Sequence, residues 1–160
     1  MRSKVIAFQI TPSKDIQIQT QAFTLDEMTR ELPQGSYTTF NTLSHANKVL
    51  GLHAHLQRLY NPALEQGIKP SIDELTLRFR ISELAKLNLP KESRIRLILT
   101  KNNGLVYIGI QPFGPISKST YDKGVRVITI ESVRQDPRVK DTGYISSSIE
   151  QRKKIGKDIF

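Results

Sequence analysis

Two strand-like runs, Arg94 to Thr100 and Leu105 to Gln111, flank the tetrapeptide Lys101-Asn102-Asn103-Gly104. Asn-Gly between such runs is the strongest short-range hairpin signal, because both residues tolerate the positive φ of a tight primed turn. An antiparallel pair is therefore expected here, and the rest of the chain must build around it. Partners are available. Val5 to Ile10 and Ile16 to Gln19 are separated by Thr11-Pro12-Ser13, which predicts a second hairpin, and Ser36 to Phe40 is rich in β-branched and aromatic residues.

Helical periodicity enters between these strands. A short helix is expected over Leu25 to Leu32, stopped by Pro33 and Gly35. Leu52, Leu56, Leu59, Tyr60, Ala63 and Leu64 recur at helical spacing, with Gly67 just beyond. Pro62 lies inside that pattern, and its ring meets the carbonyl four residues earlier, so a kink or restart is expected near Asn61. Ser71 with Glu74 fits a capping box for a second helix, through Leu75, Phe79, Ile81, Leu84 and Leu87 to Pro90.

Pro112, Gly114 and Pro115 break the pattern, after which Val125 to Glu131 reads as a strand and Lys140 to Ile155 as a helix. Strands, then helices, then a hairpin predict an α+β class and not the regular alternation of a doubly wound sheet. The expected architecture is an N-terminal two-layer domain over 1–115, with a mostly antiparallel sheet and two main helices. A linker over 116–122 then leads to the opening strand and helix of a second domain over 123–160.

Composition narrows the function classes. Hydrophobic residues make up 38% and charged residues 24%, as in ordinary folded domains, and the absence of cysteine removes disulfides and thiolate metal sites. No apolar run approaches the roughly 20 residues of a membrane span, so a cytoplasmic protein is expected. The net charge of +9 suits a nucleic-acid partner, an anionic cofactor or a solubilising surface. The aromatic-plus-basic strand pattern of common RNA-binding folds is missing, which disfavours the first.

Three clusters could carry chemistry. His55 and Arg58 lie three apart, on one face of the first long helix, beside His53. They fit a surface patch or, through the planar fork of arginine, a phosphate contact. Arg94 and Arg96 share one face of a strand and suit either an exposed edge or a carboxylate ligand. Lys140, one of thirteen lysines, follows Arg134-Gln135-Asp136-Pro137-Arg138-Val139, whose cations could lower the proton affinity of its amine.

In this order, five stretches resemble the class IV aminotransferases: Gly35-Ser36-Tyr37-Thr38-Thr39-Phe40, His55-Leu56-Gln57-Arg58-Leu59, Arg94-Ile95-Arg96-Leu97, Gly124-Val125-Arg126-Val127, and Arg134 to Tyr144. That group of fold-type IV pyridoxal-phosphate enzymes includes branched-chain and D-amino-acid aminotransferases and aminodeoxychorismate lyase. The resemblance implies pyridoxal 5'-phosphate as cofactor, a small-molecule amino substrate and a homodimer, while the residues themselves offer no metal-ligand cluster of useful spacing. It assigns Lys140 as the Schiff-base lysine, Arg58 as the phosphate-binding arginine and Tyr144 as a contact to the cofactor ring edge. Tyr37, Thr39 and Arg96 fall at substrate-pocket positions.

Three departures accompany it. Asn41 stands where many members carry arginine, and Pro62 replaces a small helix residue, which could shift Arg58. Members of the family also continue well beyond the length of this chain, and the further part supplies a glutamate for the pyridine nitrogen and the rest of the phosphate cup. The 160 residues alone are therefore expected to be inactive, with an incomplete cofactor site. The alternative is a non-catalytic dimerisation or interaction domain of the same fold.

Overall fold

The expected hairpin forms the centre of the molecule in a computed structural model that describes residues 4–127, 129, 131 and 139–155, the last four by backbone alone. Its strands are β5 (Glu92–Thr100) and β6 (Val106–Phe113), paired antiparallel with Leu99 opposite Val106. The turn differs from the expected one. Only Gly104 takes a positive φ, +65°. Asn103 contributes through its side chain, whose Oδ1 accepts from Thr100 Oγ1 at 2.6 Å and from the Leu105 amide at 3.3 Å.

Around this hairpin lie β1 (Ile6–Ile10), β2 (Asp15–Ile18), β3 (Gly35–Leu43) and β4 (Lys48–Val49). The sheet has six strands in the order β2-β1-β6-β5-β3-β4, with every neighbouring pair antiparallel. β5 lies in the interior of the sheet and is covered on both faces. Its Ile95, Leu97 and Leu99 pack with α2 (Leu52–Glu65) and α3 (Glu74–Leu84), chiefly against Leu56, Leu59, Leu77 and Ile81. Its Ile98 points the other way, into a smaller cluster with Leu25 and Met28 of α1 (Leu25–Glu31) and with Tyr107 of β6. Truncating a side chain as buried as Leu97 to alanine should cost about 2–5 kcal/mol.

The helix ends are set by polar side chains. Thr24 and Glu27 form a reciprocal capping box at the start of α1. At α3 the cap is Asp73 and not Ser71, since the Asp73 carboxylate accepts from the Thr76 amide at 2.8 Å and the Thr76 hydroxyl at 2.7 Å. α2 runs unbroken through Pro62, which is buried in its last turn and has no amide to donate to the Arg58 carbonyl. A short helix α4 (Lys118–Lys123) occupies the segment expected to be linker.

α5 spans Gly143–Ile155, so Lys140 lies ahead of the helix instead of inside it. The expected strand at 125–131 lies partly outside the described residues, and its described Val125 and Val127 are exposed. The expected motif residues Arg134 to Arg138 also lie outside them. Among the described residues no helix is long and apolar enough to cross a membrane.

Candidate functional site

The outer edge of β3 is shared by two segments. β4 covers only Thr42 and Leu43. The other end is taken by the lysine-bearing segment, with Ser36 and Asp141 forming an antiparallel bridge. The Tyr37 amide donates to the Lys140 carbonyl at 2.7 Å, and the Thr142 amide to the Gly35 carbonyl at 2.9 Å. The Thr142 hydroxyl accepts in turn from the Gly35 amide at 3.0 Å. Asp141 secures both ends, by an ion pair to Lys101 and a hydrogen bond from the Gly143 amide at 2.7 Å. Sheet pairing thus fixes the backbone of Lys140 against the strand that carries Tyr37 and Thr39.

The side chains of Tyr37, Thr39 and Arg96 share the face covered by α1, because residues of even separation on paired strands point the same way. Arg96 is 7% exposed and well provided with acceptors. Its Nε donates to Thr39 Oγ1 at 2.9 Å, and its Nη1 to Asp26 Oδ1 at 2.7 Å and Thr29 Oγ1 at 2.9 Å. Its guanidinium carbon lies 5.1 Å from the centroid of the half-buried Tyr37 ring, and Lys140 Nζ lies 5.9 Å from the same centroid.

On the opposite face, Thr38 Oγ1 and His55 Nδ1 are 2.7 Å apart, and the imidazole packs at 5.2 Å against the Phe40 ring. Burial holds the His55 imidazole below its ordinary range, and the positive charges of Arg58 and Lys140 push it further down. The neutral ring is therefore favoured at neutral pH. Arg58 itself is exposed, on the same face of α2 one turn from His55.

Tyr37, Thr39, Arg96 and Lys140 are drawn together, whereas Arg58 lies on α2, which packs on the other face of the sheet. Tyr144 sits in the first turn of α5, 38% exposed, its amide donating to the Asp141 carbonyl at 3.2 Å. Arg94 is exposed. Beside it, Asn41 Oδ1 is buried with no hydrogen-bond partner among the described residues. Sequence reasoning missed Asp26 and Thr29. They look like ordinary residues of an N-terminal helical turn, and nothing local signals a partner some seventy residues away. Among the described residues, no group of acidic, histidine or cysteine side chains could hold a metal ion.

The family model for amino-transferase class IV matches residues 35–153, the span that holds every one of these stretches. The chain belongs to that family. Solved structures of similar fold include a Thermotoga maritima protein provisionally assigned as a branched-chain amino acid aminotransferase. It is 18% identical, with a TM-score of 0.69 over 98% of this chain and 55% of its own. A protein provisionally assigned as a 4-amino-4-deoxychorismate lyase is 24% identical, with a TM-score of 0.61 over 88% of this chain and 57% of its own. A hypothetical aminotransferase from Mycobacterium tuberculosis is 17% identical, with a TM-score of 0.59 over 92% of this chain and 57% of its own. This class IV chain spans little more than half the length of each. No curated protein sequence matches it at a significant level.

Proposed function

We propose that this class IV chain forms the N-terminal domain and the opening of the cofactor domain of a pyridoxal-phosphate-dependent aminotransferase or lyase. Its substrate is an amino acid or an aminodeoxychorismate-like compound. One observation carries the reading: the lysine-bearing segment pairs with β3, the Tyr37 amide donating to the Lys140 carbonyl at 2.7 Å and Lys140 Nζ lying 5.9 Å from the centroid of the Tyr37 ring. A lysine amine and an arginine guanidinium suit the aldehyde and the phosphate of such a cofactor.

When bound, pyridoxal phosphate supplies the electron sink for negative charge at the substrate Cα. Arg58 would hold the phosphate through its planar fork, and Tyr144 would flank the ring edge. Lys140 Nζ would hold the cofactor, then take and return the Cα proton. Tyr37, Thr39 and Arg96 form the substrate side. Family membership supports a homodimer and a cytoplasmic setting. The 160 residues alone have little or no turnover, since they match 55% to 57% of the length of the solved neighbours.

The test is chemical. Pyridoxal phosphate is added, the protein is reduced with borohydride, and modified peptides are mapped. Reduced cofactor should concentrate on Lys140, and the Lys140→Ala variant should lose it. Label spread evenly over the other twelve lysines would sink the reading.

A second reading, an interaction domain of the same fold without chemistry, is favoured by the outer face of α3. Leu75 and Phe79 stand there one turn apart, 77% and 61% exposed. Absence of label on Lys140 together with self-association lost in Leu75→Ser would support it.

A further inference from the structure

The Tyr37 ring meets two cations, the Arg96 guanidinium at 5.1 Å and the Lys140 ammonium at 5.9 Å from its centroid. Both distances lie within the range of cation–π attraction. Two positive charges on one ring would ordinarily repel. Here Asp26 lies 2.7 Å from Arg96 Nη1 and offsets its charge. Arg96 is in turn fixed by Thr29 and Thr39, so the ring rests on a guanidinium that is held on several sides. The backbone completes the arrangement, because the Tyr37 amide donates to the carbonyl of Lys140 itself. Charged groups of the same segment include Asp141, which is paired with Lys101.

We propose that Tyr37 is the positioning residue for the Lys140 amine and that Asp26, acting through Arg96, keeps the ring in place. The flexible lysine side chain is steered by an aromatic face, and the helix α1 is recruited into the site by its first-turn carboxylate. The significance for catalysis rests on Lys140 being the cofactor-bearing lysine; the contact itself does not.

The experiment therefore reads the contact without the cofactor. Reductive methylation with labelled formaldehyde converts each of the thirteen lysines to a dimethylammonium group that keeps its charge, and Lys140→Arg assigns one signal. The Lys140 N-methyl resonance should lie upfield of the others because of the Tyr37 ring current. Tyr37→Phe should keep that shift, Tyr37→Leu should abolish it, and Asp26→Asn should move it part of the way. An unshifted Lys140 signal in the wild-type protein, or one unchanged in Tyr37→Leu, overturns the proposal. Borohydride mapping separates the two ideas: a shifted signal without cofactor on Lys140 leaves the positioning intact and removes the enzymatic reading. Cofactor on Lys140 without the shift does the reverse.

Discussion

Asp26 Oδ1 accepts from Arg96 Nη1 at 2.7 Å, joining the first turn of α1 to an arginine in the interior of the sheet, seventy residues on. The arginine is 7% exposed, so its charge has little access to water. Removing one member of such a pair leaves the other desolvated and unpaired, whereas replacing both with apolar groups is far milder. Asp26→Ala should therefore destabilise the fold by about 2–3 kcal/mol, the value of a lost hydrogen bond between charged groups. Arg96→Met combined with Asp26→Ala should cost clearly less than the sum of the single changes. Urea denaturation of the four proteins closes the cycle, and simple additivity would show that the two residues act independently.

His55 gives the fold a pH dependence. Its imidazole titrates below the ordinary 6.5 because it is buried and because Arg58 and Lys140 repel a further positive charge. As pH falls below that ordinary value, the unfolded chain takes up a proton that the folded chain resists, so stability rises with pH across this window. The contribution is complete above the unfolded value and is lost progressively below it. Wild-type urea midpoints should fall between about pH 7.5 and about pH 5.5, and His55→Gln should fall less. An identical slope in the two proteins would remove His55 from the account of this pH dependence.

How much of this was legible depended on the range of the cause. The β5–β6 hairpin, the β1–β2 hairpin and helices α1, α2 and α3 announced themselves through periodicity and turn residues, which act within a few positions. The start of α3 was misread because Ser71 and Asp73 are both good caps at neighbouring positions, and only the backbone path decides which one reaches the Thr76 amide. The start of α5 was misread for a related reason. Asp141 and Thr142 bind β3, which holds the segment extended until Gly143. Of the candidate site, the motifs proposed Lys140, Arg58, Tyr144, Tyr37, Thr39 and Arg96. The ties that organise them run through Asp26 and Thr29, which no local pattern marks.

Glu92 should matter for the turn between β3 and β4. Ser44, His45 and Ala46 there take φ of 56°, 58° and 62°, a left-handed run that L residues adopt at a cost. Their amides converge on an anion: the His45 amide donates to Glu92 Oε1 at 2.7 Å and the Ala46 amide to Oε2 at 3.1 Å, while the Thr42 hydroxyl donates to Oε2 at 2.6 Å. The hydroxyl, and then the two amides, hold the carboxyl below its ordinary value of 4.5. Its contribution is thus present above that value and lost as pH falls through the lowered one. Glu92→Gln should lower the thermal midpoint at neutral pH and flatten its decline in acid. Equal midpoints for the two proteins at neutral pH would remove Glu92 from the account of this turn.

Gly104 and Gly67 separate two kinds of demand for glycine. Both take positive φ, 65° and 72°, so alanine at either position carries a left-handed strain of about 1–2 kcal/mol. Around Gly67 a new Cβ meets nothing within 4 Å, whereas at Gly104 it would lie 2.1 Å from the Lys69 carbonyl oxygen. That approach is fixed from both sides, because the Ser71 amide donates to the Gly104 carbonyl at 2.8 Å. Gly104→Ala must therefore push the hairpin turn away from the segment that leads into α3, adding an overpacking cost of about 1–3 kcal/mol. Gly67→Ala should show the strain alone. Parallel denaturation curves give the difference directly, and equal losses for the two variants would show that the turn at Gly104 yields without disturbing the segment beside it.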